Sequence, residues 1–289
     1  MKALGQQQHT ETGAQALGES VRWGNHIDPS VEDMENPHRI DEHEVSLLAP
    51  TSYEAEQYRT LRLYAELMRK DSGMQVLAVT SPVAGDGKTT TSINLAGALA
   101  QSPDARVLMV DLDLRKPSIG EALGITQTPL VGLVNAILDQ DLTLNSVVHR
   151  LPQFNLSVIP AGSCPEEPYE LLKSPRLGEL LQEARQHFDY TVLDTPPLLL
   201  VPDCRIVGRW VDGFLLVVTA NKTPRKLVEE SLNLLSPDKL LGLVFNQDDQ
   251  SLPGYYYGYY NSAGRSRDPG QVRWWHRLPA AVRRIVSGR

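Results

Sequence analysis

The sequence predicts an α/β domain, a mostly parallel, doubly wound sheet with helices on both faces. Three observations predict it. Short apolar, β-branched runs recur along the chain and alternate with stretches of helical periodicity, the mark of parallel strands buried between helices. The first of these runs, Val76-Leu77-Ala78-Val79-Thr80, leads straight into the glycine-containing loop Ser81 to Thr90 and then a helix. Two later runs, Val107 to Val110 and Tyr190 to Leu193, each end on an aspartate, Asp111 and Asp194, at the strand end where ligands sit in open α/β sheets.

Bulk properties set the limits. With 289 residues, 41% of them apolar, the chain can bury one substantial core, expected over residues 51–250. A net charge of −7 argues against a general nucleic-acid binder. The two cysteines, Cys164 and Cys204, have no metal-like spacing and suit a reducing, cytoplasmic setting. No eighteen-residue apolar run and no charged-then-apolar leader occurs, so neither a membrane span nor a secretory signal is expected.

In chain order, residues 1–50 carry three basic against nine acidic side chains without an apolar period, and a disordered tether is expected there. A helix should begin after Ser52, which suits an N-cap followed by early glutamates. Tyr58, Leu61, Ala65 and Met68 mark its buried face, while Glu56, Arg59 and Arg62 fan out over about a third of its circumference.

The loop after the first strand holds the chemistry. Gly85 and Gly87 permit the curl that turns successive N–H groups of Ala84, Gly85, Asp86, Gly87, Lys88, Thr89 and Thr90 inward on phosphate oxygens, aided by the helix N-terminus. Lys88 then reaches the β and γ phosphates and Thr89 is placed to ligate Mg²⁺. Pro82 replaces the first glycine of the usual pattern, so the match is to its Gly-Lys-Thr end.

Beyond the second run, alternation puts Asp111, Asp113 and Arg115 on one side, facing the phosphate loop. Two carboxylates near a phosphate-bound Mg²⁺ can divide labour, one on the metal or its waters and one accepting a proton. Asp194 suits the further metal-side carboxylate. Leu156 to Pro160, Gly213 to Thr219 and Leu241 to Asn246 complete the strands, with helices over Leu177 to Phe188 and Arg225 to Leu235.

Taken together, the phosphate loop, the Asp111-x-Asp113-x-Arg115 strand end and the Asp194-Thr195-Pro196-Pro197 strand end resemble those of the bacterial protein-tyrosine kinases of capsule and exopolysaccharide synthesis. The resemblance covers residues 50–261 and includes Glu56-x-x-Arg59-x-x-Arg62, Pro160-Ala161-Gly162 with Pro168 to Ser174, and the tyrosine cluster Tyr255-Tyr256-Tyr257-Gly258-Tyr259-Tyr260. It implies ATP and Mg²⁺ as cofactors, with Lys88, Asp111 and Asp113 catalytic and Thr89, Asp111 and Asp194 at the metal. Asp113 is the preferred base, although the two aspartates could exchange roles. Autophosphorylation is implied within a ring-shaped homo-oligomer that uses Glu56, Arg59 and Arg62, with Tyr255, Tyr256, Tyr257, Tyr259 and Tyr260 in a tail over residues 251–264 as acceptors.

By the same resemblance Asn246 meets adenine, although a turn-forming Asn is an equal alternative. A separate membrane-embedded activator and a cognate tyrosine phosphatase are implied partners, with recruitment to the inner face of the plasma membrane. Residues 265–289 carry seven arginines against one acid, interleaved with Trp274, Trp275, Leu278, Val282, Ile285 and Val286, so peripheral contact with an anionic membrane is expected as against a solvated tail.

Two departures matter. Ala84 stands where relatives usually have proline, and Val83 where partition ATPases carry a signature lysine. A partition-type ATPase without kinase activity and a nucleotide-gated scaffold of polysaccharide assembly are the alternative readings.

Overall fold

The computed structural model describes residues 40–125 and 129–247. The tyrosine cluster, the basic extension from 265 and the first 39 residues lie outside the described residues.

Seven strands form one sheet in the order β3-β4-β2-β5-β1-β6-β7. In chain order they are β1 (Val76–Thr80), β2 (Val107–Asp111), β3 (His149–Leu151), β4 (Leu156–Ile159), β5 (Tyr190–Asp194), β6 (Gly213–Thr219) and β7 (Leu240–Asn246). All neighbours pair in parallel except β3, which runs antiparallel to β4 at the edge. The sequence reading missed β3, because His149-Arg150-Leu151 is too short and polar to carry an apolar run.

The helices are α1 (Val45–Leu48), α2 (Tyr53–Ser72), α3 (Lys88–Ala100), α4 (Ile119–Ala122), α5 (Leu133–Leu138), α6 (Leu144–Val147), α7 (Pro168–Lys173), α8 (Pro175–His187), α9 (Asp203–Val207) and α10 (Arg225–Leu234). Alternate strand residues feed two cores. Leu77, Val79, Val107, Met109 and Val192 pack with α3 through Ile93, Leu95 and Leu99 on one face. Val76, Ala78, Leu108, Val110 and Leu193 pack with α8 through Leu177, Leu180 and Leu181 on the other. Period-two strands covered on both sides make the inner positions apolar, Thr191 of β5 excepted, and β1, β2, β5 and β6 are buried throughout.

Local chemistry sets the helix ends. Ser52 Oγ accepts the Ala55 N–H at 3.1 Å, and Glu54 and Glu56 fall in the first turn of α2. Gly73, at φ 72°, closes that helix in the left-handed conformation, with its N–H on Arg69 O. As expected, Ala65 is buried and Leu61 and Met68 pack on the α3-side core.

One boundary needs correction. Residues 40–50, expected to belong to a disordered tether, are packed: Glu44, Ser46 and Leu47 are buried against α3. Their burial depends on partners some fifty residues away, so no local apolar period announces it.

Candidate active site

The site lies at the carboxyl ends of β1, β2 and β5, the three central strands of the sheet. In the loop after β1, Gly85 and Gly87 hold φ of 89° and 85°, open to glycine at little cost. At Gly87 a second constraint applies, since a Cβ there would stand 1.9 Å from Asn246 Nδ2. That amide donates to Asp86 O at 3.0 Å, so Asn246, at the end of β7, braces the loop from above.

Asp86 has a role that loop spacing did not reveal. Its carboxylate is buried and accepts from Thr219 Oγ1 at 3.1 Å, Thr223 Oγ1 at 2.6 Å and the Val83 N–H at 3.3 Å. The loop is thereby pinned to the tip of β6. The two threonines were not picked out from sequence; Thr219 ends a buried strand, and that is the only local signal.

Asp111 and Asp194 are register partners on adjacent strands, joined further by the Leu112 N–H on Asp194 O at 2.8 Å. Lys88 Nζ lies 2.9 Å from Asp113 Oδ2 and 3.5 Å from Asp194 Oδ2. Thr89 Oγ1 donates to Asp194 Oδ2 at 2.7 Å, while Ser92 Oγ, missed in the sequence reading, lies 3.0 Å from Asp194 Oδ1. Ser118 Oγ reaches Thr89 Oγ1 at 3.3 Å. Thus Lys88, Thr89, Asp111, Asp113 and Asp194 converge, as their spacing predicted.

Arg115 does not join them. Strand β2 ends at Asp111, so alternation no longer applies four residues on, and the guanidinium instead binds Asp203 of α9 through two bonds of 2.8 and 3.1 Å. This pair anchors the loop after β2 to α9, with the Asp203 carboxylate buried.

Burial dominates the electrostatics. It pushes Asp111 up to about 7, helped by the Asp194 charge and opposed by the N–H groups of Ile119 and Ser118, each 3.0 Å from Oδ2. Asp194, fully buried, is raised by the same cause, with Lys88, Thr89 and Ser92 pulling the other way. For Lys88 burial acts downward, but Asp194 and Asp113 outweigh it and its pKa is raised, so the ammonium persists. Nearby, Cys204 is held up to about 11 by burial and donates to Pro196 O at 3.1 Å, a structural thiol with no nucleophilic character.

Phosphate fits this arrangement: an inward-curled glycine loop, a helix N-terminus and one lysine. The donor set beside it, one hydroxyl and two carboxylates, is all oxygen and suits Mg²⁺.

The α2 residues expected at an oligomer interface make bonds within the chain. Arg59 pairs with Glu56 at 2.5 Å and donates to Pro50 O at 2.8 Å; Arg62 pairs with Glu66 at 2.7 Å and donates to Ala98 O at 3.0 Å.

Known proteins share this fold and chain. A family profile described as an AAA domain matches residues 74–206. The kinase domain of Escherichia coli tyrosine kinase ETK superposes with a TM-score of 0.67 at 29% identity, covering 80% of this chain and 91% of that one. The chimerical protein CapA2B2 gives 0.66 at 26% identity, over 72% and 91%. Putative tyrosine-protein kinase EpsB of Ralstonia nicotianae is 32% identical over 80% of this chain, which spans 30% of that longer protein. Tyrosine-protein kinase CpsD of Streptococcus agalactiae is 32% identical over 73% of this chain and 92% of its own length. Tyrosine-protein kinase YwqD of Bacillus subtilis is 35% identical over 226 residues, 78% of this chain and 93% of that one. With its phosphate loop and strand-tip acids in place, the chain belongs to the bacterial tyrosine-protein kinase family.

Proposed function

We propose that this kinase transfers the γ-phosphoryl group of Mg²⁺·ATP to tyrosine hydroxyls, chiefly Tyr255, Tyr256, Tyr257, Tyr259 and Tyr260 of a neighbouring copy. The observation that carries the reading is one half-buried ammonium, Lys88, shared between Asp113 and Asp194 at the mouth of the glycine loop.

The chemistry follows from competition for that ammonium. When the β and γ phosphates take Lys88, Asp113 loses its ion-pair partner and its Oδ2 turns to the incoming phenol. A phenol has an ordinary pKa of about 10, so Asp113 accepts its proton as the oxygen attacks and not before. Loop N–H groups and Lys88 stabilise the charge on the transferred group. Magnesium, when bound, supplies charge neutralisation at the phosphate oxygens, and Thr89, Asp111 and Asp194 are the residues that would hold it. Asn246, at the loop's rim, is the adenine-side contact.

The family setting extends the proposal. Glu56 and Arg59, with side chains 47% and 39% exposed, are available to a neighbouring copy in a ring together with Arg62. A separate membrane-embedded activator, a cognate tyrosine phosphatase and recruitment to the inner membrane face complete the system, which controls exopolysaccharide or capsule synthesis. The arginine-rich extension from 265 would lie on the anionic membrane surface.

A mixing experiment tests transfer between copies. Lys88→Met protein with an intact tail is combined with active protein whose five tail tyrosines are phenylalanine. Phosphotyrosine on the Lys88→Met copy is expected; its absence, with the unaltered chain still modifying itself, rules out transfer between copies.

A further inference from the structure

Helix α3 carries Lys88, Thr89 and Ser92 at its first turns, and its middle carries a second polar cluster that catalysis does not use. Asn94, fully buried, is the centre of that cluster. Its Oδ1 accepts the Ser46 N–H at 2.7 Å, and its Nδ2 lies 2.9 Å from His43 O, from Glu44 Oε2 and from Thr90 O. One turn on, Leu47 fills a notch that only glycine leaves, since a Cβ on Gly97 would come 2.7 Å from Leu47 Cδ2. At the end of α3, Gln101 Nε2 donates to Ser46 O at 3.2 Å.

The same segment has a second anchor. The Asp41 N–H donates to Ala122 O at 2.9 Å, and Ala122 ends α4. Just before α4 and at its first residue stand the N–H groups of Ser118 and Ile119 that hold Asp111 Oδ2, and Ser118 Oγ touches Thr89 Oγ1. Residues 41–49 therefore bridge the helix that bears Lys88 and Thr89 to the helix that orients Asp111.

We propose that residues 41–49 form a strap that fixes the distance between Thr89 and Asp111, with Asn94 as its positioning residue, so that the seating of the strap sets Mg²⁺·nucleotide binding. A polar amide buried in the middle of a helix is costly unless all its bonds are made. Here three of its four partners are strap or loop backbone and a buried carboxyl, which ties the helix to one placement of the strap. The idea rests on the kinase reading for the reaction served, but its readout is binding, so the two can fail separately.

The test uses the full chain. Leu47→Asp drives a charge into the Gly97 notch while leaving every residue of α3 and of the site as it is, and Asn94→Ala removes the amide. Mg²⁺·ADP and metal-free ADP affinities are measured by calorimetry, with amide exchange at Ser118 and Ile119. Both variants are expected to lose about 10-fold in Mg²⁺·ADP affinity, the lower end for residues that orient metal ligands, with metal-free ADP affinity unchanged and exchange at 118 and 119 accelerated. Ser46→Ala, which removes a buried hydroxyl without a partner while keeping the strap's N–H, should leave binding as it was. A Leu47→Asp protein with lower stability but unaltered Mg²⁺·ADP affinity and exchange would reduce the strap to packing and overturn the proposal.

Discussion

Helix α3 separates two buried carboxylates that the chain treats in opposite ways. Asp194, at the helix N-terminus, faces two hydroxyls and an ammonium, groups that a ligand can compete for. Glu44, at its middle, accepts one amide N–H, from Asn94 at 2.9 Å. Burial first, and then the charges of Asp41 and Asp194, push Glu44 up to about 9, so it stays protonated at neutral pH. The difference teaches that burial alone does not mark a catalytic acid. The donors around it do: an ammonium and hydroxyls that a ligand can engage make a site for exchange, whereas an amide with every bond made inside the chain makes a joint.

The sharpest way to break this contrast is at Lys88. Lys88→Met should reduce phosphotyrosine formation by about 10³-fold, the loss of one preorganised charge at the transferred group, read by radiolabel from ATP. Asp113→Asn should come next, about 10²-fold lower turnover with ATP affinity retained, because its carboxylate acts on the proton and not on the nucleotide. Equal losses of affinity and turnover in Asp113→Asn would instead put Asp113 in the binding set.

Glu44 sharpens the other side. In the folded chain it keeps a proton that the unfolded chain releases above about 4.5, so the folded state binds more protons and stability falls as pH rises. Its contribution is fully present below about 4.5 and is lost as pH climbs through about 9. Asp41 and Asp194 are the titratable neighbours that act on it, and Tyr58 is the one that feels its charge. Between pH 7 and 9.5 the chain should lose about 2–3 kcal/mol by urea titration, and Glu44→Gln, which cannot ionise, should flatten that slope. The smallest effect belongs to the solvated face of α10: Arg225→Ala, which removes a 2.8 Å pair with Glu229, should change stability by about 0.5 kcal/mol at most.

The same contrast explains what the sequence could disclose. A strand tip reads locally, because an apolar run closed by an acid is written in consecutive residues; Asp111 and Asp194 were legible for that reason, and so was the glycine loop before Lys88. Arg115 escapes a reading by alternation because β2 ends at Asp111, four residues before it. The strap was invisible because Asp41-Glu42-His43-Glu44 reads as solvent-exposed until Asn94 and Gly97 supply its slot. Thr219 and Thr223, which hold Asp86, were hidden likewise by a separation of more than 130 residues.

The most direct test of the central claim follows the γ-phosphoryl group itself. Full-length protein is incubated with Mg²⁺ and γ-labelled ATP, and the label is traced by peptide mapping. The account predicts label on tyrosines of the 255–260 segment, reduced about 10³-fold in Lys88→Met and about 10²-fold in Asp113→Asn. Label recovered wholly as free phosphate, with those tyrosines unmodified, would contradict it and leave an ATPase in place of a kinase.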